Sequence, residues 1–126
     1  MVAGGGEVET TGRRGEDAAL RRYARAGYTL VARNWRCRLG EIDLILARGA
    51  TLVVCEVKAR RGAALGGPYE AVGLRKQTKL RALAEAFLLS EGNRPAVGAA
   101  REVRFDVASV TVSDEGDAVH VFEDAF

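Results

Sequence analysis

The stretch at residues 40–60, GEIDLILARGATLVVCEVKAR, contains two apolar runs separated by a short polar turn. Each run has the length and the β-branched content that are typical of a strand. A connection this short joins antiparallel strands, because a parallel pair needs a crossover of a dozen or more residues. The sequence therefore predicts a hairpin with strands at residues 41–47 and 51–58.

Four charged side chains lie toward the open end of this predicted hairpin. Either turn length that fits the sequence places Asp43 opposite Glu56 and Glu41 opposite Lys58. Facing carboxylates repel, and that repulsion destabilises a sheet unless a positive group neutralises it. Mg²⁺ or Mn²⁺ is bound by carboxylate oxygens, a backbone carbonyl and waters. We therefore predict that Asp43, Glu56 and the carbonyl of Val57 bind a metal ion, with Lys58 beside it.

A structural alternative stays open for the same four side chains. They would form an ion-pair ladder at the end of the sheet, in which Lys58 neutralises the acids. The E-x-K spacing is weak evidence by itself, since average composition produces it in about every second or third chain of this length. Its value comes from the strand context and from the opposed Asp43.

The rest of the chain predicts an α/β protein with a mixed sheet. The predicted order is helix, strand, strand, strand, helix, strand, strand, at residues 14–26, 28–35, 41–47, 51–58, 73–91, 101–112 and 118–122. The third and fourth strands are separated by a helix, so they are able to pair in parallel. We expect one domain at residues 13–126, preceded by a flexible tail at residues 1–12.

Length and composition favour a water-soluble protein. The chain has 126 residues, of which 48% are hydrophobic and 29% charged, and it contains no apolar run of the 18 or more residues that span a bilayer. Its start lacks the features of a signal peptide. We therefore expect a cytoplasmic protein without a membrane partner, in which Cys37 and Cys55 are reduced and packed. His120 lacks a second histidine nearby, and we interpret it as a surface or packing residue.

The basic residues are unevenly distributed. Sixteen of the nineteen are arginine, and the three lysines are Lys58, Lys76 and Lys79. Lysine is a compact point charge that can polarise water or a phosphoryl oxygen. Its placement in the E-x-K motif at the end of a strand and at the start of the second helix therefore suggests a chemical role, with chance as the alternative. The basic cluster at residues 58–81 indicates a phosphate-binding face, although a solvated helix surface has the same composition.

Glu16 is a further candidate for the site. It lies one turn before Leu20 on the apolar stripe of the first helix, so its carboxylate points toward the edge of the core. This position is costly unless the carboxylate has a partner. Glu16 could therefore add a third carboxylate to the site.

Several segments together resemble the YraN family of predicted endonuclease-like bacterial proteins. They are GEDAALRRYARAGYTLVARNWRCRLGEIDLILARGATLVVCEVKARRG, GPYEAVGLRKQTKLRALAEAFL, RFDVASV and the terminal DAF. The resemblance as a whole runs from about Gly12 to Phe126. That family is similar to the PD-(D/E)xK superfamily, whose restriction-endonuclease-like fold is shared with Holliday junction resolvases. In this sequence Ile42 stands in place of the proline of that name.

The resemblance implies a three-layer α/β/α fold with a metal-dependent phosphodiesterase site. Asp43 matches the family's acid on the second strand, Glu56 and Lys58 match its E-x-K, and Glu16 matches the helix glutamate of resolvase-like members. Lys76 and Gln77 match the polar positions at the start of the following helix, where such enzymes often place an accessory residue.

The leading hypothesis is therefore a Mg²⁺- or Mn²⁺-dependent endonuclease that acts on structured or damaged DNA. Arg60, Arg61, Arg75 and Lys79 would bind backbone phosphates. A non-catalytic DNA-binding or adaptor module on the same fold is the alternative, and a protein-interaction domain without nucleic acid is a third reading. Symmetric cutting of a junction needs two active sites, so a homodimer is worth testing. A recruiting DNA-processing protein would have to be identified by other means.

Overall fold

A computed structural model describes residues 10–62 and 72–126 of the protein. The elements in these ranges are α1 (Thr11–Arg25), β1 (Thr29–Cys37), β2 (Gly40–Arg48), β3 (Thr51–Arg61), α2 (Leu74–Glu91), α3 (Pro95–Gly98), β4 (Glu102–Val112) and β5 (Ala118–Phe122). The strands form one sheet in the order β1-β2-β3-β4-β5. Neighbouring strands are antiparallel except β3 and β4, which are parallel. The predicted fold class, a mixed sheet with helices on both faces, is confirmed.

Each face of the sheet buries its own apolar cluster. On one face the core is formed with α2, whose Leu80, Leu83 and Phe87 are buried together with Ile42. On the other face α1 packs through Ala18, Ala19 and Tyr23 against Leu44, Val53 and Cys55, among others. Burial of this apolar surface is the main force that holds the three layers together.

The β2–β3 hairpin has the predicted register along the half nearest its turn. Arg48 pairs with Thr51, and pairing continues to Leu44 with Cys55. The two-residue turn contains Gly49 at φ 59°, a left-handed conformation that glycine adopts without steric cost. Beyond Leu44 the two strands are no longer paired, whereas β3 stays paired with β4 along its whole length. Asp43 of β2 and Glu56 of β3 lie where the two strands separate.

Asn34 interrupts the regular alternation of side chains in β1. It has a φ of 53° and lies between the pairs that Arg33 makes with Leu44 and Trp35 makes with Ile42. At this point side chains that are two residues apart no longer lie on the same face of the sheet. In the neighbouring strand β2, Ile42 packs in the cluster with α2, while Leu44 packs in the cluster with α1. A regular strand would place these two side chains on the same face.

A close approach fixes α1 against the strand that carries the E-x-K residues. Gly15 is buried, and a Cβ added there would lie 2.5 Å from the Cβ of Ala59. A larger side chain at position 15 would therefore push the helix away from β3. The small residue allows the first turns of α1 to lie over the strand just beyond Lys58.

A buried polar network connects α1, β4 and the C-terminal segment. Asp106 has no exposed surface, and its carboxylate accepts two hydrogen bonds from Arg104, at 2.9 and 2.8 Å. It also accepts hydrogen bonds from the hydroxyl of Tyr23 at 2.7 Å and from the N–H of Asp124 at 3.0 Å. Arg104 in turn donates to the hydroxyl of Tyr28. A buried charge is tolerated when it is paired and hydrogen-bonded in this way.

The boundaries of the elements differ from the sequence expectation at a few points. The predicted tail falls largely on residues 1–9, which lie outside the described residues. Helix α1 begins at Thr11, where the Thr10 side chain accepts a hydrogen bond from the N–H of Arg13. The pattern does not predict the short helix Pro95–Gly98, which begins with a proline at a position that suits it.

The cysteines and the histidine lie as expected. Cys55 is buried and Cys37 partly buried, and both are free thiols. His120 is exposed, and its ring stacks on Phe122 with 4.3 Å between centroids. Within the described ranges, none of the helices is both long enough and apolar enough to cross a bilayer.

Candidate active site

Asp43 lies in the opening between β2 and β3. Its Oδ2 accepts a hydrogen bond of 2.8 Å from the N–H of Val57. This side-chain hydrogen bond connects β2 to β3 just beyond their last backbone pair, Leu44 with Cys55. In an extended strand the N–H and C=O of one residue point to the same side. The carbonyl of Val57, predicted as a metal ligand, therefore faces the same opening as the Asp43 carboxylate.

The electrostatic environment of Asp43 is unfavourable to a bare carboxylate. Its pKa rises from 3.8 to about 7, chiefly because of burial; the Val57 hydrogen bond lowers the pKa, and the negative charges of nearby acids, Glu56 among them, raise it. Acids therefore dominate the surroundings of Asp43, and within residues 10–62 and 72–126 no cation is hydrogen-bonded to its carboxylate.

Glu56 is held next to this opening by α2. Its Oε2 lies 3.4 Å from the Nζ of Lys76, and its side chain is 13% exposed while that of Lys76 is 46% exposed. The Glu56–Val57 peptide bond supplies the N–H that binds Asp43, so the two acids meet at the same point of β3. Lys58 follows two residues later and is partly buried.

Lys76 and Gln77 have different environments. Lys76 forms a salt bridge with Glu56, and its predicted accessory role in catalysis stays a prediction. Gln77 instead donates from its side-chain nitrogen to the carbonyl of Val72, at 2.7 Å. This hydrogen bond connects Gln77 to the residues just before α2, so its side chain stabilises the N-terminus of the helix. Its predicted role in catalysis stays a prediction.

Glu16 is near enough to raise the pKa of Asp43, but its carboxylate is hydrogen-bonded to β1. Its Oε1 accepts from Arg33 at 3.0 Å and its Oε2 from Asn34 at 3.2 Å. Arg33 also lies 2.8 Å from the carboxylate of Asp17. Both oxygens of Glu16 are thus occupied by protein donors, and the geometry favours a role through its charge on Asp43 over direct contact with a metal ion.

The predicted contact between Glu41 and Lys58 is wrong. Glu41 pairs with Arg36 in β1, and the two side chains form a salt bridge of 3.4 Å. The reason is that β2 leaves β3 after Leu44. Glu41 therefore lies beside β1 and away from Lys58 of β3.

The predicted phosphate-binding residues lie at the end of β3 and in the first two turns of α2. Arg61, Arg75 and Lys79 are exposed, whereas Arg60 is partly buried. Arg60 also interacts with other groups of the protein. Their positions on the end of β3 and the start of α2 are consistent with a basic rim beside the two acids, but their contact with nucleic acid stays a prediction.

The donor set at the opening fits a hard divalent cation. In residues 10–62 and 72–126, no group of three or more Asp, Glu, His or Cys side chains is arranged to hold one metal ion. Mg²⁺ characteristically uses one or two carboxylates, keeps several waters and takes its other ligands from a substrate phosphate. Asp43, Glu56 and the Val57 carbonyl match this donor set, and the charge on Asp43 is the kind that such an ion neutralises.

Sequence reasoning missed Arg33 and Asn34, which orient Glu16. One signal was available for Asn34, since asparagine is depleted in strands and is among the few non-glycine residues that adopt a left-handed conformation. Nothing in the pattern indicates which helix residue Arg33 contacts, because that contact depends on how α1 packs on the sheet.

Comparisons with known proteins agree on one family. The sequence model of a protein family, described as "Uncharacterised protein family UPF0102", matches residues 15–110. A UPF0102 protein of Acidothermus cellulolyticus is 40% identical over 124 residues, which cover 94% of each chain. One of Kineococcus radiotolerans is 46% identical over 110 residues and 87% of each chain. One of Stutzerimonas stutzeri is 38% identical over 120 residues, 95% of this chain and 97% of the relative. The chain therefore belongs to the UPF0102 family, which confirms the resemblance inferred from its motifs.

Proposed function

We propose that the protein is a metal-dependent endonuclease that hydrolyses phosphodiester bonds in structured or damaged DNA. The observation that carries this proposal is the opening between β2 and β3, where the partly buried carboxylate of Asp43 is oriented by the Val57 N–H beside Glu56. An unpaired carboxylate in this position lowers the stability of the fold. Destabilising groups of this kind are found most often at functional sites.

Each residue of the site has a distinct task in this reaction. Asp43, Glu56 and the Val57 carbonyl would hold Mg²⁺ or Mn²⁺, which when bound supplies a water of lowered pKa and positive charge beside the scissile phosphate. The Val57 N–H keeps Asp43 in place while the ion binds. Lys76 holds Glu56 in the metal-free protein.

Lys58 and the basic rim act on the substrate. The ammonium group of Lys58 stabilises the negative charge that develops on the phosphoryl oxygens as the P–O bond breaks. Arg60, Arg61, Arg75 and Lys79 bind phosphates on either side, which gives affinity that falls with salt and reads little sequence.

The test is cleavage of labelled branched, flapped and single-stranded DNA by the purified protein with Mg²⁺ or Mn²⁺. We expect cleavage that is lost on chelation, is abolished by Glu56→Gln and falls about a hundredfold in Lys58→Ala, in line with removal of one charge-stabilising group. Glu85→Gln changes an exposed acid of α2 and serves as the matched control. Cleavage that persists in Glu56→Gln would come from a contaminant and would contradict the proposal.

A second candidate function is DNA binding without cleavage. The salt bridge between Lys76 and Glu56 favours it, because a Glu56 already neutralised by lysine needs no metal ion to be stable. In this case the protein would bind DNA in a salt-dependent way in the presence of chelator, and metal ions would produce no cleavage. A third result, negligible retention of DNA at low salt, would contradict both candidates.

A further inference from the structure

The turn between β1 and β2 is a short, well-defined protrusion beside the site. Cys37 pairs with Gly40, so Arg38 and Leu39 alone form the turn. Gly40 has a φ of 144°, a conformation that side chains rarely adopt. Both turn residues are exposed, and Leu39 has 49% of its surface exposed. A leucine at the tip of a tight hairpin is held in place by the strands and is not buried in the core.

Helix α2 supports this turn from behind. A Cβ added to Gly40 would lie 2.9 Å from the Cε of Lys79 and 3.7 Å from the Cδ1 of Leu83, so the aliphatic part of Lys79 lies on the turn. Lys76 is one helical turn earlier, and side chains three apart are neighbours on a helix. Since Lys76 reaches Glu56, a continuous surface runs from Glu56 to the hairpin tip.

The charge of this surface indicates its partner. Arg36 has a side chain that is 76% exposed, and Arg38 and Lys79 are exposed as well. Arg36 forms a salt bridge with the partly exposed Glu41, which leaves the surface with a net positive charge. We call Arg36, Arg38, Leu39 and Lys79 the hairpin-tip surface. It combines cations that suit phosphates with one apolar side chain between them.

We infer that the hairpin-tip surface binds DNA at an interruption of the double helix and that Leu39 packs against the base exposed there. The inference rests on the proposed function and names its substrate class. Apolar side chains flanked by basic residues are used to enter between base steps, at the cost of unstacking them. This cost is lowest where a base is already unpaired or unstacked, as at a branch or flap. The surface therefore selects interrupted duplexes over continuous ones.

The position of the turn also sets where cleavage occurs. Leu39 precedes Asp43 by four residues, which is about 13 Å along a strand at about 3.3 Å per residue. Successive phosphates of one strand of duplex DNA are about 3.4 Å apart along the axis. Because about 13 Å is the greatest span of four residues, a cut made at Asp43 with Leu39 at the interruption falls within about four nucleotides of the branch point.

Binding of two DNAs of the same sequence in chelator tests this inference without cleavage. One DNA is a continuous duplex and the other carries a single-stranded flap, and affinity is measured by fluorescence anisotropy at low salt. Wild-type protein should prefer the flapped DNA. Leu39→Ser should weaken binding to the flapped DNA about tenfold, as loss of a half-buried leucine contact implies, and should leave binding to the continuous duplex unchanged. Arg38→Ala should weaken binding to both.

Leu89→Ser is the matched control. Leu89 is an exposed leucine at the opposite end of α2, with 82% of its surface accessible, and its replacement should leave both affinities unchanged. Equal melting temperatures of the two serine variants and wild-type protein verify that the fold is retained, as expected for exposed positions.

The outcomes separate this inference from the proposed function. If Leu39→Ser keeps the preference for flapped DNA, the inference is overturned, even when cleavage depends on Glu56 and the proposed function stands. If the preference depends on Leu39 but the wild-type protein cleaves nothing, the surface is supported and the nuclease proposal is contradicted. Where cleavage occurs, cuts placed randomly relative to the flap would also overturn the assignment of Leu39.

Discussion

Asp43→Asn should abolish cleavage and, at the same time, make the metal-free protein more stable. Asparagine keeps an oxygen that can accept the Val57 hydrogen bond, but it removes the charge that would attract the metal ion. We expect cleavage to fall by about a thousandfold or more, as for loss of a main electrostatic group of an active site. Stability should rise because burial and neighbouring acids disfavour the ionised carboxylate.

The gain in stability should depend on pH in a defined direction. The pKa of Asp43 is about 7 in the folded protein and near 3.8 when unfolded. The folded state thus holds the proton of Asp43 more tightly than the unfolded state does. Ionisation of Asp43 therefore leaves the free energy of unfolding unchanged below pH 3.8 and lowers it progressively between pH 3.8 and about pH 7. The advantage of Asp43→Asn should therefore be small at pH 4.5 and reach about 2 to 4 kcal/mol at pH 8, since one pKa unit corresponds to about 1.4 kcal/mol.

Urea denaturation in chelator at pH 4.5 and pH 8 measures this difference. Asp114→Asn, which changes an exposed aspartate between β4 and β5, is the control and should alter neither stability nor cleavage. A destabilised Asp43→Asn protein at pH 8 would show that the carboxylate is a structural anchor. That result would favour the ion-pair alternative over an active site.

Asp106→Ala should cause the largest loss of stability among single substitutions on the C-terminal side of the sheet. The carboxylate is fully buried and accepts hydrogen bonds from Arg104, Tyr23 and Asp124. Its removal leaves the mostly buried guanidinium of Arg104 without that partner, and breaking one side of a buried ion pair costs about 3 to 5 kcal/mol. The hydrogen bonds that Arg104 donates to Asp106 raise the pKa of Arg104 in the wild-type protein, and a guanidinium stays charged without them.

The free energy of unfolding from urea denaturation tests this expectation, with Asp106→Asn as the comparison. Asparagine retains an acceptor for Tyr23 but not the negative charge. The stability of Asp106→Asn should therefore lie between that of wild-type protein and that of Asp106→Ala. A change smaller than about 1 kcal/mol in Asp106→Ala would mean that Arg104 is satisfied elsewhere, for example by Glu123, whose carboxylate lies 3.6 Å away.

Much of the architecture follows from the sequence because the hairpin fixes its own register. The turn at Gly49 and the apolar runs on either side leave few ways to pair β2 with β3, and the observed pairs have the predicted register. The helix between β3 and β4 likewise allows these strands to pair in parallel, as they do in the sheet. These features depend on local spacing, which sequence patterns record well.

The details of the site depend on contacts that local spacing does not record. The extrapolated register pairs Glu41 with Lys58, but beyond Leu44 β2 stays paired with β1 and leaves β3. The two donors that occupy Glu16 come from a strand that is adjacent only after folding. The sequence therefore nominates candidate residues for the site, while the direction in which each side chain points depends on packing.

The central claim is that Asp43 and Glu56 share one divalent cation, and a crystal grown with Mn²⁺ tests it most directly. We expect an anomalous difference peak in contact with both carboxylates and the Val57 carbonyl, which is absent from crystals of Asp43→Asn grown in the same way. Well-ordered Asp43 and Glu56 side chains without a peak between them, at a Mn²⁺ concentration that supports any cleavage observed, would contradict it.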